Sequence, residues 1–329
     1  MGEMIRIAVD AHGGDNGCAT VVEGVLAALT RSTVPISVYL CGRRDEIDSA
    51  ISSLGGGEFV AAGSLLIENC SDDVSDDCLP SKLWKRHPNA PVVRCLSMQK
   101  DGLVSASLSA GDTRYIIGSA IFLLGHTSGI SRPALAAFLP TAGARPVLLL
   151  DVGANVECKP RHLADFGTMG REYFGHFFGI ENPKVALLNV GGESFKGSKV
   201  VRDTADILRQ DMPDSFCGFV EGSQVLSGSA DVVVCDGFAG NVLLKACESF
   251  HNLVERIVGT EDRAAELVRA RVSVLNADNY GAVPLLGVNG VVFKAHGASS
   301  PRAICHAVNA AAIAASQKTA DHAFGIERI

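Results

Sequence analysis

The 329-residue chain lacks most of the short signatures that announce a cofactor or a nucleophile. No G-x-G-x-x-G fingerprint follows a strand-like run, so a dinucleotide has no obvious seat. Gly192 to Lys199 (GESFKGSK) puts Ser198 between its second glycine and the lysine. A P-loop needs lysine directly after that glycine, which speaks against nucleotide hydrolysis. There is no G-x-S-x-G elbow and no H-E-x-x-H pair, and the nine histidines are scattered. The ten cysteines contain no C-x-x-C spacing, the nearest two being Cys70 and Cys78. Most stand among apolar neighbours and read as buried, reduced thiols, and no metal is expected. The longest apolar stretch, Tyr115 to Gly125, is too short to span a bilayer. The N-terminus lacks a signal-peptide layout, so the expected location is the cytoplasm. Basic charge is also scarce: 29 Lys and Arg against 36 Asp and Glu leave a net charge of −7. That excludes a general nucleic-acid binder, but not a small anion held in a locally positive pocket.

The chain has 35 glycines, 47% hydrophobic residues, and an alternation of apolar runs with helical periodicity. Strands are predicted at Ile5–Val9, Ile36–Leu40, Leu103–Ser107, Ala134–Phe138, Pro146–Leu150, Val185–Asn189, Cys217–Val220, Asp231–Val234 and Val291–Phe293. Helices are predicted at Cys18–Thr30, Arg43–Leu54, Tyr115–Leu124, Asn241–Val258, Glu261 to about Val274, and Arg302–Ser316. Glu68 to Pro91, with Asp72, Asp73, Asp76 and Asp77 followed by Lys82, Lys85 and Arg86, reads as an exposed, charge-segregated loop. Alternating strands and helices imply an α/β fold with a large, mostly parallel sheet flanked by helices. No linker cuts the chain, so residues 1–329 are expected to form a single α/β unit with a protruding helical pair at about 241–280.

Three apolar runs end in aspartate followed by glycine and asparagine. They lead into Asp10-Ala-His12-Gly13-Gly14-Asp15-Asn16, Asp151-Val-Gly153-Ala-Asn155 and Asp236-Gly237-Phe-Ala-Gly240-Asn241. Glycine lets backbone N–H groups converge at a strand end, an arrangement suited to a phosphate-like anion. A plain turn capped by Asp15 or Asn16 accounts for the first run equally well, except for His12. Lys159 follows Asn155 by four and Lys245 follows Asn241 by four; on a helix, each pair shares one face. Lys294-Ala-His296-Gly297 closes another apolar run with groups that suit an anion or a developing oxyanion. Asn189 to Gly197 offers one more glycine turn with a lysine, Lys196. Together they describe a cleft of amides, N–H groups and lysines with no dedicated nucleophile.

With these motifs in place the chain resembles the bacterial phosphate acyltransferases of phospholipid synthesis, the PlsX family, over nearly its whole length. The specific runs are Ile5 to Asn16, Asp151 to Pro160 (DVGANVECKP), Val233 to Val242 (VVCDGFAGNV) and Gly287 to Gly297 (GVNGVVFKAHG). The resemblance implies an isopropylmalate-dehydrogenase-like, Rossmann-like fold, a homodimer and no cofactor. It also implies transfer of an acyl group from acyl carrier protein to inorganic phosphate. The acyl phosphate would supply a glycerol-3-phosphate acyltransferase, and peripheral contact with a membrane belongs to the same expectation. Lys294, His296 and Asn241 are then the candidates for catalysis. Asp10, Gly13, Gly14, Asp15, Asn16, Asp112, Thr113, Asn155, Lys159, Lys196, Asp236, Gly237, Lys245 and Gly297 are the candidates for holding phosphate or the thioester. Docking of an acidic carrier protein needs a basic patch, for which Lys82, Lys85 and Arg86, or Arg263, Arg269 and Arg271, are available. The apolar stretch Asn279 to Gly287 is a candidate for lipid contact. Where the family has Ser-Ala-Gly-Asn-Thr-Gly, this chain has Ser109-Ala-Gly111-Asp112-Thr113-Arg114, a replacement that could form a local ion pair. Two other readings stay open: a phosphotransacylase using short-chain coenzyme A esters, and a non-catalytic membrane-surface scaffold.

Overall fold

A computed structural model describes residues 4–72, 74, 78–143, 145–257 and 281–321. In chain order the strands are β1 (Ile5–Asp10), β2 (Ile36–Gly42), β3 (Leu65–Asn69), β4 (Ala106–Ser109), β5 (Ala134–Leu139), β6 (Val147–Leu150), β7 (Val185–Leu188), β8 (Phe216–Val220), β9 (Val232–Val234), β10 (Ala282–Leu286) and β11 (Val291–Ala295). The α-helices are α1 (Gly17–Arg31), α2 (Arg44–Ser53), α3 (Gly57–Ala61), α4 (Leu83–Arg86), α5 (Pro91–Lys100), α6 (Thr113–Leu124), α7 (Pro160–Phe178), α8 (Lys199–Asp211), α9 (Gly237–Ile257) and α10 (Pro301–Asp321). The predicted helix from Glu261 to Val274 lies outside the described residues.

The contacts group into two compact units: residues 1–129 with 277–329, and residues 130–276. The chain leaves the first unit and returns to it. The outward crossing, Gly129-Ile130, lies in the short run Ser128-Gly129-Ile130-Ser131-Arg132-Pro133, whose serines, glycine and proline suit a brief linker.

In the first unit the strand order is β3-β2-β1-β4-β11-β10, parallel throughout except for the antiparallel β10–β11 pair. The apolar stripe of α1 (Val21, Val22, Val25, Leu26 and Ala28) is buried, as its spacing predicts. Full burial of a valine such as Val22 or Val25 contributes about 1.5–3 kcal/mol. Gly24 lets α1 and α10 approach closely: a Cβ on it would stand 2.5 Å from Ile304 Cβ and 2.6 Å from the Pro301 carbonyl oxygen. The Pro91–Lys100 stretch, left unassigned beside the predicted loop, folds as α5 and buries Val92, Val93, Cys95, Leu96 and Met98. The fourth strand lies three residues later than predicted at its start, because the turn at Asp101-Gly102 has to close first.

The second unit has the order β5-β6-β9-β7-β8, parallel except for β5–β6. Its α7 is a 19-residue helix to which the sequence reading assigned no element. Phe138 of β5 meets the end of this helix, with ring centroids 5.8 Å from Phe178 (edge-on) and 6.3 Å from Phe174. Such pairs contribute about 0.5–1.5 kcal/mol beyond area burial. Among the described residues, no helix is long and apolar enough to cross a membrane.

Candidate active site

The first turn and the Lys294 turn come together in the first unit. Val9 pairs with Leu108, and Lys294 of β11 pairs with Ser109 of β4. Asp10, Ser109 and Lys294 therefore stand side by side at the carboxyl ends of three adjacent parallel strands, where open α/β sheets bind ligands. Asp10 is buried: its Oδ2 accepts from Ser109 Oγ at 2.7 Å and its Oδ1 from the His12 N–H at 3.0 Å. Burial pushes its carboxyl up, while the bonds from Ser109 and from the His12 and Gly13 N–H groups pull the other way.

The glycines here are required by space. A Cβ on Gly13 would lie 2.6 Å from Asp10 Oδ2 and 2.7 Å from both Ser109 Oγ and the Gly111 nitrogen. The Asp15 N–H donates to the Gly297 carbonyl at 2.8 Å, and Asn16 Nδ2 to the Ser299 carbonyl at 3.0 Å. This joins the two predicted turns into one wall. His12 accepts the Arg43 N–H on Nε2 at 2.9 Å, which leaves the proton on Nδ1, facing Glu46 at 3.9 Å. His296 accepts the Ala298 N–H on Nδ1 at 3.1 Å, so its Nε2 carries the proton and can donate.

Asp112 caps α6, accepting the Arg114 N–H at 2.8 Å, and the Arg114 guanidinium returns to it at 2.7 Å. The expected ion pair is present. Arg114 holds the Asp112 carboxyl below its ordinary value, with a smaller contribution from Lys294. A cavity of about 330 Å³ opens beside these groups, lined by Asp10, His12, Gly13, Gly14, Asp15, Ser109 and Asp112 among others. Arg43, Cys70 and Tyr115 also line it; like Ser109, none of them is a site candidate from the sequence. Their signal was weak: Ser109 falls at a strand end, which only the register reveals.

The other two turns meet in the second unit. Asp151 is fully buried. Its Oδ1 accepts from Leu135 (3.0 Å), Gly153 (3.2 Å) and Ala154 (3.0 Å), and its Oδ2 from the Asn155 N–H (2.6 Å) and Asn155 Nδ2 (2.9 Å). Burial raises its pKa and these bonds oppose the rise. The condition under which Asn155 and Lys159 would share a helical face is not met. The segment bends around Asp151, and α7 begins only at Pro160. Asn155 is turned inward, its amide donating to Asp151 and to the Pro133 carbonyl at 2.8 Å, while Lys159 stays exposed.

Asn241 and Lys245 do share a helix, α9, and Lys245 Nζ meets Glu248 at 2.7 Å. Asp236 caps that helix through the Ala239 N–H at 2.8 Å, and Gly237 donates to the Asn155 carbonyl at 2.7 Å. Lys196 pairs with Glu193 at 2.7 Å, both side chains well exposed. Thr113 opens α6 in the first unit.

The candidates thus form two groups. Asp10, Gly13, Gly14, Asp15, Asn16, Asp112, Thr113, Lys294, His296 and Gly297 belong to the first unit. Asn155, Lys159, Lys196, Asp236, Gly237, Asn241 and Lys245 belong to the second. Neither group contains an activated thiol. Every cysteine whose pKa departs from the ordinary value is pushed upward by its surroundings, Cys18 to about 11 and Cys158 to about 12, both chiefly by burial. Cys217 is exposed, against the expectation of burial. Of the Asn279 to Gly287 stretch named for lipid contact, residues 281–287 are described; Ala282–Leu286 forms strand β10, with Pro284 and Leu285 buried.

The chain was compared with known proteins. A family described as "Fatty acid synthesis protein" matches residues 5–322. The "Phosphate acyltransferase" of Heliobacterium modesticaldum is 38% identical over 318 residues, covering 93% of each chain. Among solved structures, a phosphotransacetylase from Streptococcus pyogenes superposes with a TM-score of 0.65 at 17% identity, covering 96% of this chain and 95% of that one. A 4-hydroxythreonine-4-phosphate dehydrogenase from Burkholderia phymatum gives 0.52 at 12%, covering 96% and 98%. At such identities both speak for the fold alone, and they bear out the dehydrogenase-like α/β architecture. With this fold, and with the four quoted motifs lying inside the matched span, the chain belongs to the fatty acid synthesis protein family of phosphate acyltransferases.

Proposed function

We propose that the protein is an enzyme of phospholipid synthesis that transfers a long-chain acyl group from acyl carrier protein to inorganic phosphate. The observation that carries this reading is the row Asp10, Ser109, Lys294 beside a cavity without an activated nucleophile. Phosphate is itself the nucleophile near neutral pH. HPO₄²⁻ attacks the thioester carbonyl, the C–S bond breaks, and the departing sulfur takes the proton that phosphate brought, giving acyl phosphate and a thiol. A thiol of pKa near 8.5 is a tolerable leaving group. The protein then has to supply proximity and stabilisation of the tetrahedral oxyanion. In this reading the Lys294 ammonium and the His296 Nε2–H face the developing charge. Asn155, both of whose amide protons are spent inside the protein, is a positioning residue for the Asp151 turn.

Lys82, Lys85 and Arg86 are exposed on one short helical stretch and suit an acidic carrier protein. Arg263, Arg269 and Arg271 lie outside the described residues. Assembly as a homodimer, peripheral membrane contact and delivery of acyl phosphate to a glycerol-3-phosphate acyltransferase complete the reading. The test is release of free thiol from a long-chain acyl carrier protein with and without phosphate. Phosphate-dependent release supports the proposal. Turnover confined to coenzyme A esters, or no turnover with either donor, overturns it.

A further inference from the structure

Outside the cavity of the first unit, the second unit holds a group of cations that form no ion pair with a carboxylate among the described residues. Arg132 sits between two anchored neighbours. Ser131 donates to Asp165 Oδ2 through its N–H (3.1 Å) and its hydroxyl (2.5 Å), and the Pro133 carbonyl accepts Asn155 Nδ2 at 2.8 Å. Asn155 is tied to Asp151, and a few residues on, the Lys159 N–H donates to His162 Nδ1 at 3.2 Å. Residues 131–133 are thus bonded on one side to the Asp151 turn and on the other to the first turns of α7. The charge of Arg132 is felt by both His162 and Cys158, and that of Lys159 by His162.

The neighbouring acids are occupied. Asp165 also meets Arg161 at 2.9 Å, Asp151 receives five N–H bonds, and Asp236 caps α9. Glu157 is exposed and meets no cation among the described residues. Neither the Arg132 guanidinium nor the Lys159 ammonium meets a carboxylate among the described residues. By contrast Arg145, Arg161, Lys199 and Arg209 of the same unit each do.

We infer that Arg132, Lys159 and His162 form a binding site for a tetrahedral phosphate oxyanion, supplied by inorganic phosphate or by the phosphate of a pantetheine arm. The inference rests on the function proposed above and names a ligand group for it. Two cations that both act on His162, with no carboxylate partner of their own among the described residues, are relieved by an anion. A guanidinium fork on a pinned backbone matches phosphate oxygens with little ordering cost. His162 adds a donor, because its Nδ1 already accepts the Lys159 N–H and its proton lies on Nε2.

The test is equilibrium dialysis of labelled inorganic phosphate, and separately of phosphopantetheine, against the full chain and its variants. Arg132→Gln should bind at least one of the two probes about tenfold or more weakly, with Arg132→Lys in between. Arg145→Gln, whose arginine is paired with Asp231, should stay within about twofold of the unmodified protein. The probe that loses affinity names the source of the phosphate. Bound phosphate should also shift the His162 ring proton resonances, and not in Arg132→Gln. If Arg132→Gln fails to fold, Arg132→Lys decides, since it keeps the charge and removes the fork. Both probes bound within twofold by Arg132→Gln, or neither bound by the unmodified protein, overturns the site. Phosphate binding that needs Arg132, without phosphate-dependent thiol release, overturns the proposed function and leaves the site standing.

Discussion

Gly13→Ala tests whether the Asp10 turn is held as tightly as its geometry requires. The new methyl carbon would stand 2.6 Å from Asp10 Oδ2 and 2.7 Å from Ser109 Oγ and the Gly111 nitrogen, where ordinary contact begins at 3.4 Å. Three neighbours must therefore each retreat by roughly 0.7 Å. None is free to do so: Ser109 Oγ donates to Asp10 at 2.7 Å and accepts the Gly111 N–H at 3.0 Å. Losing one hydrogen bond to a buried carboxylate costs about 1.5–3 kcal/mol. Stiffening of the unfolded chain by alanine offsets about 0.4–1 kcal/mol. The expected net loss is about 1–2 kcal/mol in urea unfolding. Displacing Asp10 and Ser109 on this scale should lower phosphate-dependent thiol release about 100-fold. Gly57→Ala is the control, since nothing lies within 4 Å of its added Cβ, and it should be neutral or stabilising by up to about 1 kcal/mol. A Gly13→Ala protein as stable and as active as the parent would refute the argument, because the cluster would then be neither rigid nor coupled to the reaction.

Three further outcomes follow from the same contacts. Burial raises the Asp10 carboxyl, so the folded state holds its proton more tightly than the unfolded state. Stability is then greatest below the unfolded value near 3.8 and declines as pH rises through the folded value. Asp10→Asn should remove that decline, so that the urea midpoint of the variant gains on the parent as pH rises from about 3.8 through the folded value. Asp112 behaves in the opposite sense. Its pKa is lowered by Arg114, and the pairing stabilises above the unfolded value and fades as pH falls through the folded one. Arg114→Gln should cost no more than about 1 kcal/mol at pH 7, since the pair is exposed, and nothing once Asp112 is protonated. Gly240→Ala should destabilise by more than about 2 kcal/mol in thermal or urea unfolding, because its Cβ would run into the Asp151 carbonyl. Helix propensity alone predicts a gain of about 1 kcal/mol, so the sign separates the two effects.

What the sequence shows of the fold depends on whether an element announces itself locally. The apolar runs of β1, β2 and β6 and the apolar stripe of α1 do so, and they were placed to within a residue or two. Helix α7 does not. Its Gly167, Gly170 and Gly175 look like breaks, yet a Cβ on Gly170 would stand 2.6 Å from Val232 Cγ1 and one on Gly175 2.6 Å from the Ile180 carbonyl oxygen. These glycines are spent on close packing against β9 and on the helix end, a reason visible only once the partners are in place. Helix α8 is a different case: Ser198 accepts the Val201 N–H at 3.3 Å, an ordinary N-cap, and its periodic Thr204, Ala205 and Leu208 are buried. Its signal was local and legible, although the sequence reading assigned no helix there.

The site divides along the same line. That Asp10, Gly13 and Gly14 form a tight turn follows from residue types alone, because few other residues could occupy it. That Ser109 and Lys294 stand beside Asp10 follows only from the register of β1, β4 and β11, which brings together residues up to 284 positions apart. The spacing of Asn155 and Lys159 misled for a physical reason. A buried carboxylate that collects five N–H groups draws the backbone around itself, and that local gain outweighs the propensity of the next four residues to start a helix. The same wrapping turns Asn155 inward, leaves Lys159 outside, and pins Pro133 so that Arg132 stands near them. Asp151 therefore shapes the turn, and Arg132 and Lys159, which meet no carboxylate among the described residues, are the cations proposed to meet the anion.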